Sequence, residues 1–120
     1  MILVDTSVWV NHLRHGDAEL ARMLVEQEVA LHPFIIGEIA AGSLTRRSEV
    51  LGYLFLLHRL AVAQEEEVHH LLESRNLWGT GLGWTDLHIL TAAKLSGCRL
   101  YTADRAMNSA AVQLEIAYRR

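Results

Sequence analysis

The chain has little of what would staple it covalently or hold it in a membrane. One of its 120 residues is cysteine, Cys98, so no internal disulfide can form. No apolar run approaches the roughly 20 residues that a membrane helix needs. No basic segment precedes the first apolar run, as a signal peptide would require. Together these absences point to the cytosol and exclude a membrane partner. Positive charge is also scarce. The formal net charge is −3, which excludes a protein that grips nucleic acid by bulk charge. It does not exclude an enzyme that acts on nucleic acid, because a bound cation inverts the local field. Lysine is nearly missing, with Lys94 alone beside ten arginines. The planar guanidinium fork suits phosphate contacts.

What is present is apolar sequence in short runs. Hydrophobic residues make up 51% of the chain, too many for disorder and enough for one domain over residues 1–120 with a single core. The opening stretch, MILVDTSVWV, reads as a buried strand that ends at Asp5. A short helix over Val8–Arg14 follows, broken by Gly16, and a second helix over Asp17–Glu28 with Asp17 as N-cap. Val29–Phe34 reads as a second strand with Pro33 near its exit. The next helix, IIGEIAAGSL, carries Glu38 in its first turn.

Arg46–Leu60 has helical spacing, Leu60–Ala63 is a candidate third strand, and Gln64–Leu77 is helical again. Gly79–Gly83 interrupts the pattern. Trp84–Ser96 reads as a helix with Thr85 as N-cap, stopped by Gly97. Cys98–Ala103 is a fourth strand with Asp104 past its end. Ala106–Leu114 is a last helix, and Glu115–Tyr118 a candidate fifth strand. Strands alternating with helices predict an α/β fold: a mostly parallel sheet of four to five strands with helices on both faces.

Four acids stand at or near the ends of these elements, each inside apolar sequence: Asp5 in ILVDT, Glu38 in IIGEIAA, Asp86 in LGWTDLHIL and Asp104 in LYTADRAM. In open parallel sheets ligands bind outside the carboxyl ends of the strands. Carboxylates gathered there repel one another unless a hard divalent cation compensates them, and Mg²⁺ or Mn²⁺ takes such oxygen ligands. A site of that kind suits phosphodiester hydrolysis. Each acid also has a plainer reading, as a helix N-cap or a first-turn charge favoured by the helix dipole. If the four converge, the metal-free protein holds like charges close together, and neutralising one, as in Asp86→Asn, stabilises it.

These stretches resemble the PIN-domain ribonucleases and, within them, the VapC toxins of bacterial toxin–antitoxin pairs. MILVDTSVWV is similar to the family's opening motif, IIGEIAAG to its acid-bearing helix, GLGWTDLHILTAA to its third motif and LYTADRAM to its fourth. The order and spacing match over essentially the whole chain. The resemblance implies a PIN-like three-layer fold. It implies a metal-dependent endoribonuclease that cuts RNA, inhibits translation and is neutralised by a VapB-like antitoxin. It implies Asp5, Glu38, Asp86 and Asp104 as the catalytic quartet, with Mg²⁺ or Mn²⁺ held by Asp5, Asp86 and Asp104. Thr6, Ser7 and Thr102 fall on supporting hydroxyl positions. It also implies a homodimer and an antitoxin that covers the acidic site with a basic side chain. Ala106 and Met107 depart from the pattern, standing where many relatives carry a further acid or an aromatic. That departure bears on Asp104 more than on Asp5 or Asp86.

Other features fit less pointed roles. The seven histidines show no zinc spacing and read as surface or packing residues. His88 lies two residues from Asp86 and so faces away from it on a helix. Arg46–Arg47 and Arg119–Arg120 are basic pairs open to phosphate contact or to plain solvation. Trp84, beside the glycine loop, is the aromatic placed to stack on a base. The GTGLG loop lacks a P-loop lysine and a dinucleotide fingerprint. Two rival functions use the same layout. One is a nuclease-inactive module that binds RNA or protein. The other is a small phosphotransfer domain, opposed by the lack of a second aspartate two residues after Asp5 and by Lys94 lying inside a helix.

Overall fold

A computed structural model describes residues 1–119. Its elements run β1 (Ile2–Val4), α1 (Thr6–His15), α2 (Ala18–Val25), β2 (Val29–Leu31), α3 (Pro33–Ala41), α4 (Arg47–Leu54), β3 (His58–Arg59), α5 (Glu65–Ser74), α6 (Trp84–Ser96), β4 (Arg99–Tyr101) and α7 (Arg105–Gln113). The strands form one parallel sheet in the order β3-β2-β1-β4. Leu3 of β1 pairs with Ala30 on one side and Leu100 on the other, and β1, buried throughout, is the axis of the sheet. From β1 the chain steps outward to β2 and β3, then crosses to the far side for β4. Right-handed crossovers in opposite directions put α1–α4 on one face and α5 and α6 on the other. The reversal makes the carboxyl ends of β1 and β4 the switch point of the sheet, the place where such sheets leave a crevice.

The core follows the apolar runs. Val8 and Trp9 of α1, Leu20 and Met23 of α2, and Ile35, Ile36 and Ile39 of α3 are buried. Helix α6 packs against both α5 and α7 and is buried continuously from Leu87 to Ala93. Asp17 caps α2 through Leu20 N at 2.9 Å, and Gly97 ends α6 in the left-handed conformation, φ 69°.

Four sequence expectations shift. Pro33 is not at a strand exit but at the first position of α3, where its missing N–H removes nothing. Helix α3 therefore starts earlier, and Glu38 lies in its second turn rather than its first. The apolar spacing of Arg46–Leu60 outlasts the helix, which stops at Leu54. Strand β3 then forms at His58–Arg59 rather than Leu60–Ala63, and Leu60 N still reaches Leu31 O at 2.8 Å. The fifth strand is reduced to one parallel bridge between Leu100 and Ala117.

His32 joins strand to helix. Fully buried, it caps α3 by accepting from Phe34 N at Nδ1, 3.0 Å. The proton then sits on Nε2, which has no partner. Burial first, and the nearby His88 second, push its pKa from 6.5 down to about 4. The fold favours the neutral ring. That stabilisation is complete above pH 6.5 and is lost as pH falls toward 4, up to about 3 kcal/mol. Urea denaturation of His32→Asn, which keeps a capping oxygen, is expected to show a shallower loss of stability over this window than the parent. Equal pH slopes for the two proteins would refute this account.

Candidate active site

Asp5 occupies the N-cap position of α1 but does not cap it with its side chain. Its carboxylate, only 8% exposed, turns toward β4. There Oδ2 accepts from Thr102 Oγ1 at 2.7 Å and from Ser7 Oγ at 3.0 Å. Each hydroxyl has one proton to give, and both protons go to Asp5. The hydroxyls in turn accept backbone N–H groups: Ala103 N donates to Ser7 Oγ at 3.0 Å and Asp104 N to Thr102 Oγ1 at 3.1 Å. Asp5 N also donates to Tyr101 O at 2.9 Å, extending the β1–β4 ladder to the site. The ends of the neighbouring strands β1 and β4 are thus tied by a relay from backbone to hydroxyl to carboxylate, each bond polarising the next. No Lys, Arg or His among the described residues forms an ion pair with Asp5. A carboxylate is buried at the switch point without a counter-charge.

Between Asp5 and Ser7, Thr6 points elsewhere: its Oγ1 donates to Glu38 Oε1 at 2.8 Å. This bond fastens α3 to the start of α1. Beyond Glu38 opens a cavity of about 710 Å³ whose lining includes Arg14, His15, Thr45 and Arg46. Arg14 and His15 were not legible as neighbours of the site. Both stand in the last turn of α1, where positive charge is favoured by the helix dipole.

The other two acids turn to their own helices. Asp86 Oδ2 accepts from Gly83 N at 2.9 Å at the start of α6. Asp104 Oδ1 accepts from Met107 N at 2.9 Å and caps α7. The two helix ends are near one another, since a Cβ on Gly81 would lie 3.8 Å from that of Ala106. Among the described residues, no group of three His, Cys, Asp or Glu side chains is arranged to hold a metal ion. The structure therefore joins Asp5, Ser7 and Thr102, links Glu38 through Thr6, and reaches Asp104 through its backbone. It does not gather the four carboxylates into one metal-free cluster. Asp86 and Asp104 are engaged instead by N–H groups at the starts of their own helices.

The histidines do act in packing. His88 is buried with its ring edge-on to Phe34 at 5.0 Å, and His12 Nδ1 accepts from Asp17 N. Arg47 donates to Ala40 O and Arg46 lies 3.5 Å from Glu49. Arg119 is exposed; Arg120 lies outside the described residues.

The PIN domain matches residues 2–113. Ribonuclease VapC32 of Mycobacterium tuberculosis, in the strains CDC 1551 and H37Rv, is 42% identical over 118 residues, covering 98% of this chain and 95% of that protein. Among solved structures, PAE2754 from Pyrobaculum aerophilum superposes with a TM-score of 0.70 at 20% identity, covering 98% of this chain and 87% of the other. FitAcB from Neisseria gonorrhoeae gives 0.67 at 17%, covering 98% and 95%.

Two stability measurements check the geometry. Thr102→Val removes the donor to Asp5 and is expected to lower unfolding free energy by about 1–3 kcal/mol, whereas Thr102→Ser keeps the bond and most of the stability. Equal losses would place the effect in packing. Asp86→Asn in EDTA is expected to leave the melting temperature unchanged or slightly lower, because little repulsion is relieved and a charge at a helix N-terminus is lost. A clear rise would mean that the carboxylates meet after all.

Proposed function

Because this chain belongs to the PIN-domain family, among its VapC-type ribonucleases, we propose that it is a metal-dependent endoribonuclease, the toxin of a toxin–antitoxin pair. The observation that carries the reading is the buried carboxylate of Asp5, uncompensated at the switch point. Ser7 and Thr102 fix one of its oxygens, and Oδ1 accepts no hydrogen bond from the described residues. All the candidate donors are oxygens, which fits Mg²⁺ or Mn²⁺. Mg²⁺ keeps several waters beside one or two carboxylates, so a full protein cage is not needed.

In this reading Asp5, Asp86 and Asp104 hold the metal and Glu38 adds charge at the site. When bound, the cation supplies a water of lowered pKa and stabilises charge developing on the phosphodiester. The protein's own contribution is placement. The hydroxyls of Ser7 and Thr102 orient Asp5 without neutralising it, as a cationic partner would. Thr6 holds Glu38 on the open side of the site. Asp86 and Asp104 sit at helix N-termini, where their negative charge is favoured before any metal arrives.

The substrate is RNA, and the partner is a VapB-like antitoxin that lays a basic side chain over the acids. A homodimer is proposed as well. Exposed apolar side chains such as Phe55 and Leu56 leave surface to bury.

The test is cleavage of structured RNA by the purified protein with Mg²⁺ or Mn²⁺, with EDTA, and with Asp5→Asn. Cleavage is expected only with the cation. Asp5→Asn is expected to lose more than about 100-fold in rate while staying folded, beyond what loss of an outer-shell partner costs. Cleavage that survives both EDTA and Asp5→Asn would end this mechanism.

A further inference from the structure

The start of α6 carries an aromatic surface that the acid network does not use. Trp84 is the first residue of the helix, two before Asp86, and its side chain is 42% exposed. The indole is braced from two sides. His69 of α5 lies 4.8 Å away with its ring tilted 45°, and buried His88 meets it edge-on at 5.1 Å. His88 is itself set edge-on against Phe34 at 5.0 Å, so the bracing runs back to α3. The ring is therefore held in place and still faces solvent. The glycine loop leads directly into this helix start. Gly79 adopts φ +70° with nothing within 4 Å of where a Cβ would stand, and Trp78, before the loop, is 58% exposed.

We propose that Trp84 is a stacking platform for an unpaired base of single-stranded RNA, holding the strand at the end of α6 that carries Asp86. The proposal rests on the ribonuclease reading for its choice of ligand. Three observations favour a base there. A net charge of −3 with a single lysine leaves little general attraction for phosphates, so a strand must be gripped by other means. Bases stack on exposed aromatic faces in single-stranded RNA recognition, whatever their sequence. Trp84 stands in the same first turn as Asp86, so a base stacked on it holds the strand at that end of α6. Packing alone explains the ring less well, since apolar bulk would serve and nearly half the side chain packs on nothing.

The test separates binding from cleavage. Binding of a short fluorescent single-stranded RNA oligomer, left uncut because EDTA withholds the cation, is measured for the parent, Trp84→Phe and Trp84→Leu. Trp84→Leu keeps apolar bulk without a π-face and is expected to bind roughly 10-fold more weakly, while Trp84→Phe stays within about threefold. With metal and cleavable RNA, Trp84→Leu is expected to raise KM by a similar factor and leave kcat nearly unchanged. In Trp78→Phe, with Trp9 buried, the oligomer should quench the fluorescence of Trp84. Should Trp84→Leu fail to fold, that quench decides, and its absence overturns the proposal. Equal binding by parent and Trp84→Leu also overturns it, leaving the ring to packing or to a protein partner. If the quench and the ring-dependent binding appear but no RNA is cut, the platform stands and the ribonuclease reading fails. If RNA is cut with the same KM by parent and Trp84→Leu, the reverse holds.

Discussion

Burying the Asp5 carboxylate without a counter-charge is the constraint around which the rest of the fold is arranged. A charged group out of water is tolerated only when hydrogen bonds or an ion make up for lost hydration. Here two hydroxyls supply part of the compensation, one from the first turn of α1 and one just past the end of β4. Their geometry depends on the sheet. Thr102 meets Asp5 because β1 and β4 are neighbours, and they are neighbours because the chain returns across the sheet after β3. Ser7 meets it because α1 begins immediately after β1. Asp5 is thereby withheld from its most ordinary use, since an aspartate at an N-cap normally binds the first N–H groups of its helix. The unused capping interaction, worth about 1 kcal/mol, is a local sacrifice of the sort found where function competes with stability.

The same logic separates what was legible in the sequence from what was not. The bounds of Trp84–Ser96 were legible from a glycine-rich approach on one side and Gly97 in the left-handed region on the other, although the N-cap is Gly83 and not Thr85. The motif acids could be found because carboxylates inside apolar runs are rare. The direction of each carboxylate could not be read. N-cap and metal ligand demand the same residue at the same place, and the choice between them depends on what stands opposite in space. For Asp5 that is Thr102, 97 residues away. For Asp86 and Asp104 it is their own helix ends. The errors at β3 and α3 have local causes. Apolar periodicity outlived helix α4, and Pro33 suits a helix start as well as a strand exit.

Capping does not disqualify Asp86 and Asp104 from a metal site. A cap bond has a modest net worth, and each carboxylate engages its helix through one oxygen in this structure. The other oxygen is available to a ligand without breaking the cap. Each of the two charges is favoured by the positive end of its helix before any ligand arrives. In the proposed reading, these helix ends would do part of the work that a bound cation would complete.

Holding such charges in register requires that their helices do not slide. Glu38 and Asp86 sit on α3 and α6, which connect through a row of rings: His32, Phe34, His88, Trp84 and His69, with successive centroids 4.8–5.1 Å apart. Edge-to-face contacts of this kind prefer particular angles as well as distances, so the row fixes rotation as well as spacing. It is anchored at one end by His32 capping α3, and at the other it emerges at the surface as Trp84. His32 Nε2 and His88 Nδ1 lie buried without partners along the way, a disadvantage that an all-apolar row would avoid. What the histidines add is the backbone hydrogen bond at the start of α3, which an apolar side chain cannot make. Through that bond the position where α3 begins, and hence where Glu38 falls, is tied to the same packed layer that carries Asp86.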